Sequence, residues 1–558
     1  MGVLTLSAIV QAVFVAGTEN AELLTSWVPD DAFYYLHPAW MFGEGEGFTF
    51  DGLSPTYGFQ PLWGLALGVV AFFLPSKTVF LYVGLLLGSL AHLLTGALLF
   101  ACFERWRRPA AGAIAATLWL LNPELVRVQA TGLESGLVGV LLLSVLLHLP
   151  RAERTVDGMA LFRLGALCGF LFLARVSLLP VIGITAALLL RSHPVRSLGP
   201  FFLGAALPVV PWCLYATLTF GQPLPTSGTR KLVGAWAGLA RFASSLPGIP
   251  PELARSVLSP PESQLFDSRW MAYPSLERLY RLGARATAGW ALGHWIPGAS
   301  SPIDLMRTGG ALALSLIAGL GWRRRLSGRV PGPWVLIVVG GLNGALHQLL
   351  LSPYVEYAYW YRVPELLAVV TVTALALAPA CEHTGRLGRL RLALMLGLGV
   401  LGGASFATTM APRSFDSTAD RQATAVLSVA ESMNSRLPAG TLVGSWNAGL
   451  LGWVADGPRV VNLDGLANTR AFLSVARDEV LFREGYLEAN PILRWIDSQD
   501  IRYLVDLELL SGLGHAPFYD VIPANRVHPE VHSQPVSHWT IRGRQHVVAL
   551  VRLTTEPL

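Results

Sequence analysis

The sequence predicts an α-helical polytopic membrane protein with about eleven transmembrane helices, followed by a C-terminal extracytoplasmic α/β domain. Three observations support this fold class. The 558 residues are 53% hydrophobic, with a mean hydropathy of +0.49. Only 14% of them are charged, whereas soluble proteins carry about 25% charged residues. Apolar runs separated by short basic clusters fill residues 1–410, and polar residues return over residues 411–558.

The basic residues favour a membrane topology rather than a nucleic-acid partner. The net charge is +5, but Lys and Arg lie in short clusters between apolar runs, where they set orientation. No basic stripe interleaved with aromatic residues is present in the sequence. The four cysteines have spacings that match neither a zinc site nor a disulfide framework. We therefore predict no nucleic-acid partner and interpret the cysteines as small core residues.

Segment length and loop charge together predict the order of the spans. A helix needs about 20 apolar residues to cross a bilayer, and short basic loops stay cytoplasmic. Residues 1–20 lack a positive n-region and are kept as the first span. Pro61 to Leu74 is short, and crossing would place the basic ERWRRP cluster outside, so we assign it to the outer surface. The other predicted spans are Thr78 to Phe103, Ala110 to Leu121, Ser135 to Leu149, Leu161 to Ala174, Ser177 to Leu190, Leu198 to Phe220, Ile303 to Leu320, Trp334 to Leu351, Val363 to Ala380 and Leu392 to Met410. With the N-terminus inside, this odd number of spans leaves the C-terminus outside.

Residues 411–558 have the alternating pattern of an α/β domain. Strand-like runs occur at TLVGSW, RVVNLDG, YLVDLE and HVVALVRL, with helix-like pieces at Thr418 to Arg436 and Thr469 to Phe482. The pair GSWNAGLLG and RVVNLDGLAN matches neither a P-loop nor a dinucleotide fingerprint. We interpret its glycines as turns that pack strands against a helix.

The first outer loop, residues 18–60, is acidic in a basic protein. It contains no Lys or Arg, and its acidic residues are Glu19, Glu22, Asp30, Asp31, Glu44, Glu46 and Asp51. Asp30 is the predicted N-cap of a short helix, which Pro38 is expected to kink or end. Successive helical residues diverge by about 100°, so only one aspartate of the pair can point into a given pocket. An aspartate pair beside aromatic residues at a bilayer surface favours a function over simple solvation of the helix.

The strings DDAFYYL, GEGEGFTF and SPTYGFQPLW together resemble the first outer loop of the GT-C glycosyltransferases. The nearest similarity is to bacterial arabinofuranosyltransferase-like and glycosyltransferase family 39-like proteins, over roughly the N-terminal two-fifths of the chain. Pro38 and His37 depart from the family pattern, which usually continues the helix and often has a basic residue there. The resemblance implies a GT-C-like module over residues 1–410, with a long outer loop at 221–302 that is either a lid or inert packing.

The resemblance also implies an activity and its partners. It is the transfer of a sugar from a polyprenyl-phosphate donor to a glycan, lipid or protein acceptor, on the outer face of the bacterial cytoplasmic membrane. A first-loop aspartate, Asp30 or Asp31, would act as general base on the acceptor hydroxyl. One displacement with base and leaving group on opposite faces inverts the sugar.

Glu134 resembles the second-loop acidic position of the family. It can equally be an ordinary helix N-terminal glutamate, which contributes about 0.3–1 kcal/mol through the helix dipole. No cofactor is required by the residue pattern. Asp30, Asp31 and Glu134 together could hold Mg²⁺ or Mn²⁺, although their spacing does not demand a metal.

Four cations are candidates for binding the donor phosphate. Arg175 falls between two apolar spans, where a charge is usually partnered or functional. Arg230 and Lys231 lie in PLPTSGTRK, which resembles a segment that follows a transmembrane helix in the same relatives. Arg362 lies among aromatic residues, and this cluster fits an interfacial belt with a snorkelling Arg better than a sugar-stacking platform.

Two functions from other classes stay open. A transporter or lipid flippase is expected to place carboxylates or broken helices near the bilayer midplane, whereas the acidic residues here cluster in an outer loop. A non-catalytic scaffold or sensor should tolerate Asp30→Asn and Asp31→Asn, and an enzyme should not.

Overall fold

The computed structural model describes residues 2–154, 157–228, 332–346, 363–382, 418–445, 448–469, 471–472, 475, 495–496, 498–501, 503–510, 539–541 and 544–552. The chain divides into two compact units. The first contains Met1–Val15, Leu86–Trp212 and Gly238–Ala411, and the second contains Ala16–Leu85, Cys213–Ala237 and Pro412–Leu558. The acidic first loop and the C-terminal segment therefore belong to the same compact unit.

Apolar α-helices form most of residues 2–220. Apart from the helices of residues 18–76, which are described below, the α-helices of this part and of the two later helical segments are Gly2–Gly17, Lys77–Arg105, Pro109–Leu120, Pro123–Gln129, Ser135–Arg154, Gly158–Ala174, Leu179–Ser192, Gly199–Phe220, Gly332–Leu346 and Val363–Glu382. Short 3₁₀ turns at Val176–Leu178 and Val195–Leu198 connect them. The last two helices are joined by a hydrogen bond of 2.8 Å from Asn343 to Glu365.

Three helices in the described part of the chain are long and apolar enough to cross a membrane: Lys77–Arg105, Ser135–Arg154 and Val195–Phe220. A fourth span results if the bent pair Gly2–Gly17 and Asn20–Trp27 counts as one. Shorter apolar helices of 10–17 residues account for six further segments. The number of about eleven spans is therefore not confirmed and stays a prediction. The spans predicted at Ile303 to Leu320 and Leu392 to Met410 lie outside the described residues.

Close backbone approach packs two of these helices together. Gly165 and Gly169 lie one turn apart on helix Gly158–Ala174. A Cβ on Gly165 would collide with the carbonyl oxygen of Phe201, and one on Gly169 would lie 2.5 Å from the carbonyl oxygen of Ala205. This is the small-xxx-small spacing that lets membrane helices pack by backbone contact.

The first loop is mostly ordered structure. A short helix Asn20–Glu22 and a π-helical turn Leu23–Trp27 precede helix Asp30–Gly43, and helix Pro61–Ala71 follows. The prediction that Pro38 kinks or ends the helix at that point is wrong as far as its length is concerned, because the helix continues to Gly43. All residues from Ala32 to Trp40 are buried, and this packing outweighs the backbone hydrogen bond that proline removes.

The C-terminal segment contributes a five-stranded sheet to the second unit. The strands are β1 (Leu442–Ser445), β2 (Arg459–Asn462), β3 (Tyr503–Leu510), β4 (Trp539–Ile541) and β5 (Arg544–Arg552), in the order β2-β1-β3-β5-β4. β1 is parallel to β2 and β3, and β5 is antiparallel to β3 and β4. Each of the four strand-like runs predicted from the sequence overlaps a strand, β1, β2, β3 and β5 in turn, whereas β4 was not predicted. Helices Thr418–Arg436 and Ala448–Val454 belong to the same segment. Its independence as an extracytoplasmic domain stays a prediction.

Trp453 joins the C-terminal segment to the first loop within the second unit. Its ring lies 5.8 Å from that of Phe33 and 6.3 Å from that of Phe80, measured between centroids. The Lys77 ammonium lies 5.6 Å from the ring centroid and donates a hydrogen bond of 3.2 Å to the Trp453 carbonyl. The loop and the segment therefore share one core, and this core positions the residues described next.

Candidate active site

Asp30 is held by a helix of the C-terminal segment. Its predicted N-cap role is wrong, because Pro29 is the N-cap and Asp30 is the first helical residue. The Asp30 Oδ1 instead accepts a hydrogen bond of 2.7 Å from the backbone N–H of Leu450. That N–H lies in the first turn of helix Ala448–Val454, where backbone donors lack intrahelical partners. A Cβ on Gly449 would lie 2.8 Å from the carboxyl carbon of Asp30, so this approach requires a glycine.

Tyr34 lies one turn after Asp30 and connects the first loop to Asp464. Its hydroxyl donates a hydrogen bond of 2.9 Å to Oδ2 of Asp464. The same hydroxyl oxygen accepts hydrogen bonds from the Ala448 backbone N–H at 3.2 Å and the Asn462 side-chain amide at 3.3 Å. The donors and the acceptor together use the full hydrogen-bonding capacity of a phenol.

Asp464 is fixed by the turn that follows strand β2. Its Oδ1 accepts a hydrogen bond of 2.7 Å from the Leu466 N–H. Between the two residues, Gly465 has a φ of +79°, a conformation that glycine adopts without strain. The Leu466 carbonyl in turn accepts a hydrogen bond of 3.2 Å from Thr226 Oγ1. This is the RVVNLDGLAN stretch, and its glycine does form a turn as predicted, but the sequence interpretation missed the aspartate beside it.

Burial shifts the pKa values of both aspartates towards neutrality. Burial raises the pKa of Asp30 to about 6, against the opposing hydrogen bond from Leu450, and the charge of Asp31 adds to the rise. Burial likewise raises the pKa of Asp464 to about 7, and the charge of Asp30 contributes. The pKa of Tyr34 lies well above its usual value because of burial and the surrounding carboxylates, so the phenol stays a neutral donor. Asp30, Asp31 and Asp464 are each partly exposed as residues.

His37 occupies a position that is often basic in the GT-C proteins that the first loop resembles. In this structure it is a buried neutral side chain. Its Nε2 lies 3.0 Å from the Phe50 carbonyl oxygen, and its ring stands edge-on to Phe50 and Trp453. Burial lowers the pKa of His37 to about 3, and the charge of Lys77 contributes. His37 is therefore a packing residue that carries no positive charge at neutral pH.

We expect His37 to make the protein less stable in acid. The pKa is about 3 in the folded chain and 6.5 in the reference state, so the unfolded chain binds a proton that the folded chain does not. The stabilisation is present above pH 6.5 and is lost as the pH falls, by about 2 kcal/mol at pH 5. The melting temperature of wild type should fall further between about pH 7.5 and pH 5 than that of His37→Gln. Equal decreases would contradict this assignment.

Glu134 and Arg175 form a buried ion pair in the first unit. Arg175 Nη2 lies 3.2 Å from Glu134 Oε1, and both side chains are 2% exposed. Glu134 immediately precedes helix Ser135–Arg154, and Arg175 is the C-cap of helix Gly158–Ala174. The charge of Arg175, which was expected to be partnered or functional, is therefore partnered. Two residues that the sequence assigned to different tasks neutralise each other.

The remaining predicted phosphate ligands, Arg230, Lys231 and Arg362, lie outside the described residues. Within the described ranges, no three His, Cys, Asp or Glu side chains are grouped so that they could hold a metal ion. Asp30 and Asp31 belong to the second compact unit, and Glu134 belongs to the first. Mg²⁺ or Mn²⁺ at these carboxylates stays a prediction, and no step proposed below depends on it.

Comparison with solved structures shows the fold. The oligosaccharyltransferase of Archaeoglobus fulgidus, tethered with an acceptor peptide containing the NVT sequon, matches with a TM-score of 0.51 and 13% identity, over 90% of this chain and 68% of that one. AglB of the same organism, in complex with an inhibitory peptide and a dolichol-phosphate, matches with a TM-score of 0.48 and 12% identity, over 90% and 69%. Apo ArnT from Cupriavidus metallidurans matches with a TM-score of 0.37 and 13% identity, over 96% and 97%.

No protein-family model matches the chain, and no curated protein matches it. At 13% identity, the match with a TM-score of 0.51 shows a shared fold and nothing finer. The oligosaccharyltransferase is itself a GT-C glycosyltransferase, so the resemblance found in the first loop is confirmed as a likeness of fold to that protein.

Proposed function

We propose that this chain transfers a sugar from a polyprenyl-phosphate donor to an acceptor hydroxyl at the outer face of the bacterial cytoplasmic membrane. The observation that carries the proposal is the placement of Asp30. The residue is partly exposed, and its carboxylate is oriented by the Leu450 N–H at 2.7 Å and has a pKa raised to about 6. A base with a pKa slightly below the working pH is ionised and yet more basic than an ordinary aspartate.

The chemistry needs one base and one good leaving group. A lipid-linked phosphate departs with little general-acid help, whereas an acceptor hydroxyl is a weak nucleophile. Asp30 takes the proton of that hydroxyl as its oxygen attacks the anomeric carbon, and the bond from that carbon to the phosphate oxygen breaks. A single displacement of this kind inverts the anomeric centre. Asp31, whose charge raises the pKa of Asp30, supports its basicity.

Charge that builds on the departing phosphate needs cations. We propose that these cations are Arg175, Arg230, Lys231 and Arg362. Arg175 is paired with Glu134 at 3.2 Å through Nη2, so a phosphate bound to Arg175 would share its guanidinium group with that carboxylate. We also propose that the chain crosses the membrane about eleven times, with residues 411–558 on the outer side, because this arrangement puts the basic loops inside.

The test is transfer from a panel of radiolabelled polyprenyl-phosphate sugars in membranes that contain equal amounts of wild type, Asp30→Asn and Asp31→Asn. Asp456→Asn is the matched control, because Asp456 is an exposed aspartate of the same compact unit. We expect Asp30→Asn to lose about 10²–10⁴-fold in rate, which is the usual contribution of a general base, and Asp456→Asn to retain wild-type transfer.

Each other outcome has a definite meaning. Loss in Asp31→Asn alone moves the base by one residue. Wild-type rates in both variants exclude Asp30 and Asp31 as the base. The absence of transfer from every donor by wild type, with all the acceptor classes supplied, contradicts the enzyme and favours a scaffold. Movement of the donor lipid across the membrane without sugar transfer favours a flippase.

A further inference from the structure

We propose that Asp464 is a positioning residue of the reaction site, which holds Asp30 in place through the hydroxyl of Tyr34. The inference rests on the proposed function and extends it, because it brings the C-terminal segment into the chemistry. The Tyr34 hydroxyl has one proton to donate. The Tyr34 oxygen accepts hydrogen bonds from Ala448 N–H and Asn462 Nδ2, so its own proton is directed to Asp464 Oδ2 at 2.9 Å.

Tyr34 and Asp30 are linked by helix geometry. They are four residues apart in helix Asp30–Gly43, and residues at this spacing lie on the same face. A fixed Tyr34 ring therefore fixes the rotation of the first turn, and with it the direction of the Asp30 side chain. Both Tyr34 and Asp30 also accept hydrogen bonds from helix Ala448–Val454, through the N–H groups of Ala448 and Leu450.

These hydrogen bonds connect Asp30, Tyr34 and Asp464 in one network, and Asp464 is its most firmly held member. The Asp464 carboxylate is held by the Leu466 N–H at 2.7 Å. The neighbouring Asn462, which also bonds Tyr34, accepts a hydrogen bond of 3.2 Å from the Ala467 N–H. Asn462 and Tyr34 are 1% and 4% exposed, so solvent does not compete effectively for these partners. A side chain bonded at both ends in a buried setting transmits its orientation to whatever it touches.

The reaction is sensitive to this orientation. A displacement of about 1 Å at a reacting group can lower a rate by about 10²-fold, even when the change is made elsewhere. Asp464→Asn leaves one acceptor oxygen for two donors, the Leu466 N–H and the Tyr34 hydroxyl. One of these two hydrogen bonds is then lost, and the first helical turn can rotate. The Asp30 carboxylate is then still present but no longer points at the acceptor hydroxyl. The expected signature is a lower kcat with little change in the KM for the donor.

The experiment is a double-mutant cycle on sugar transfer, with Asp464→Asn, Tyr34→Phe, the double variant Tyr34→Phe/Asp464→Asn, and Asp456→Asn as control. Each single variant should lower kcat by about 10–100-fold and leave the donor KM within about twofold of wild type. Because Asp464 acts through Tyr34, the double variant should be no slower than the slower single variant. Folded protein is quantified for each variant by size-exclusion chromatography and melting temperature, and kcat is expressed per folded molecule.

Three results would overturn the inference. If Asp464→Asn has the same kcat as Asp456→Asn, the Asp464 carboxylate has no role in the reaction. Losses that multiply in the double variant mean that Asp464 and Tyr34 act independently. A kcat deficit that disappears after correction for folded protein means that the role is structural only. These results differ from failure of the proposed function, in which wild type itself transfers no sugar and the inference fails with it.

Discussion

Replacing Arg175 by alanine is expected to destabilise the protein by about 3–5 kcal/mol, because it leaves a buried carboxylate without its counter-charge. Arg175 and Glu134 are each 2% exposed and lie 3.2 Å apart. Arg175→Ala should therefore lower the melting temperature strongly in detergent. The double variant Glu134→Gln/Arg175→Gln should recover most of the loss, since it removes both charges together.

The chain contains a matched control for this prediction. Arg151 and Asp157 form an ion pair of similar length, 3.3 Å, but their side chains are 62% and 39% exposed. Solvent screens such a pair, so Arg151→Ala should melt close to wild type. Equal melting temperatures for Arg175→Ala and Arg151→Ala would show that burial does not strengthen the first pair. The stable double variant also isolates the second task proposed for Arg175, because loss of donor affinity in that background cannot result from misfolding.

Gly449→Ala is expected to reduce sugar transfer by about 10–100-fold, through displacement of the Asp30 carboxylate. The new methyl group would lie 2.8 Å from both the carboxyl carbon and Oδ1 of Asp30, and it would also collide with the Asp30 backbone carbonyl. The collision with the backbone cannot be relieved by rotation of a flexible side chain. We also expect a loss of about 1–3 kcal/mol in stability, as for other overpacked positions. Transfer rate and melting temperature measure the two effects.

Gly183→Ala is the control for this substitution. Gly183 lies in helix Leu179–Ser192, and no neighbouring atom lies within 4 Å of the position that a Cβ would take there. Alanine at this position should be neutral or stabilising by up to about 1 kcal/mol, because glycine is a poor helix former. A Gly449→Ala protein with wild-type transfer would show that Asp30 does not need its contact with the Ala448–Val454 helix.

The sequence predicts features that depend on local composition. Asp30 and Asp31 could be selected as candidate catalytic residues from the sequence, because a run of carboxylates without cations is evident there without any structure. The strand-like runs and helix Thr418–Arg436 followed from periodicity in the same way. Pro38 shows the limit of local rules. Its effect on the helix is decided by burial on all sides, and burial depends on residues distant in sequence.

Partnerships between distant residues could not be predicted. Tyr34 and Asp464 are 430 positions apart, and nothing in either neighbourhood indicates the other. Tyr34 is one of several loop aromatics in the sequence, and Asp464 resembles an ordinary turn residue before a glycine. Glu134 and Arg175 were both singled out, but the 3.2 Å contact between them is a property of the packed helices. The chemistry of these residues is evident from the sequence, whereas their pairing is not.

The interlocking of the first loop with the C-terminal segment also sets a time at which the protein can begin to work. Asp30 leaves the ribosome early, but Asp464, bonded to Tyr34 over 430 positions, is translated much later. At about 5–20 residues per second, the interval is roughly 20–90 s. During synthesis the first loop therefore exists without its partner strands and helix. The nascent chain carries Asp30 but not the residues that orient it, so we expect the proposed base to reach its final orientation only after Asp464 has been translated.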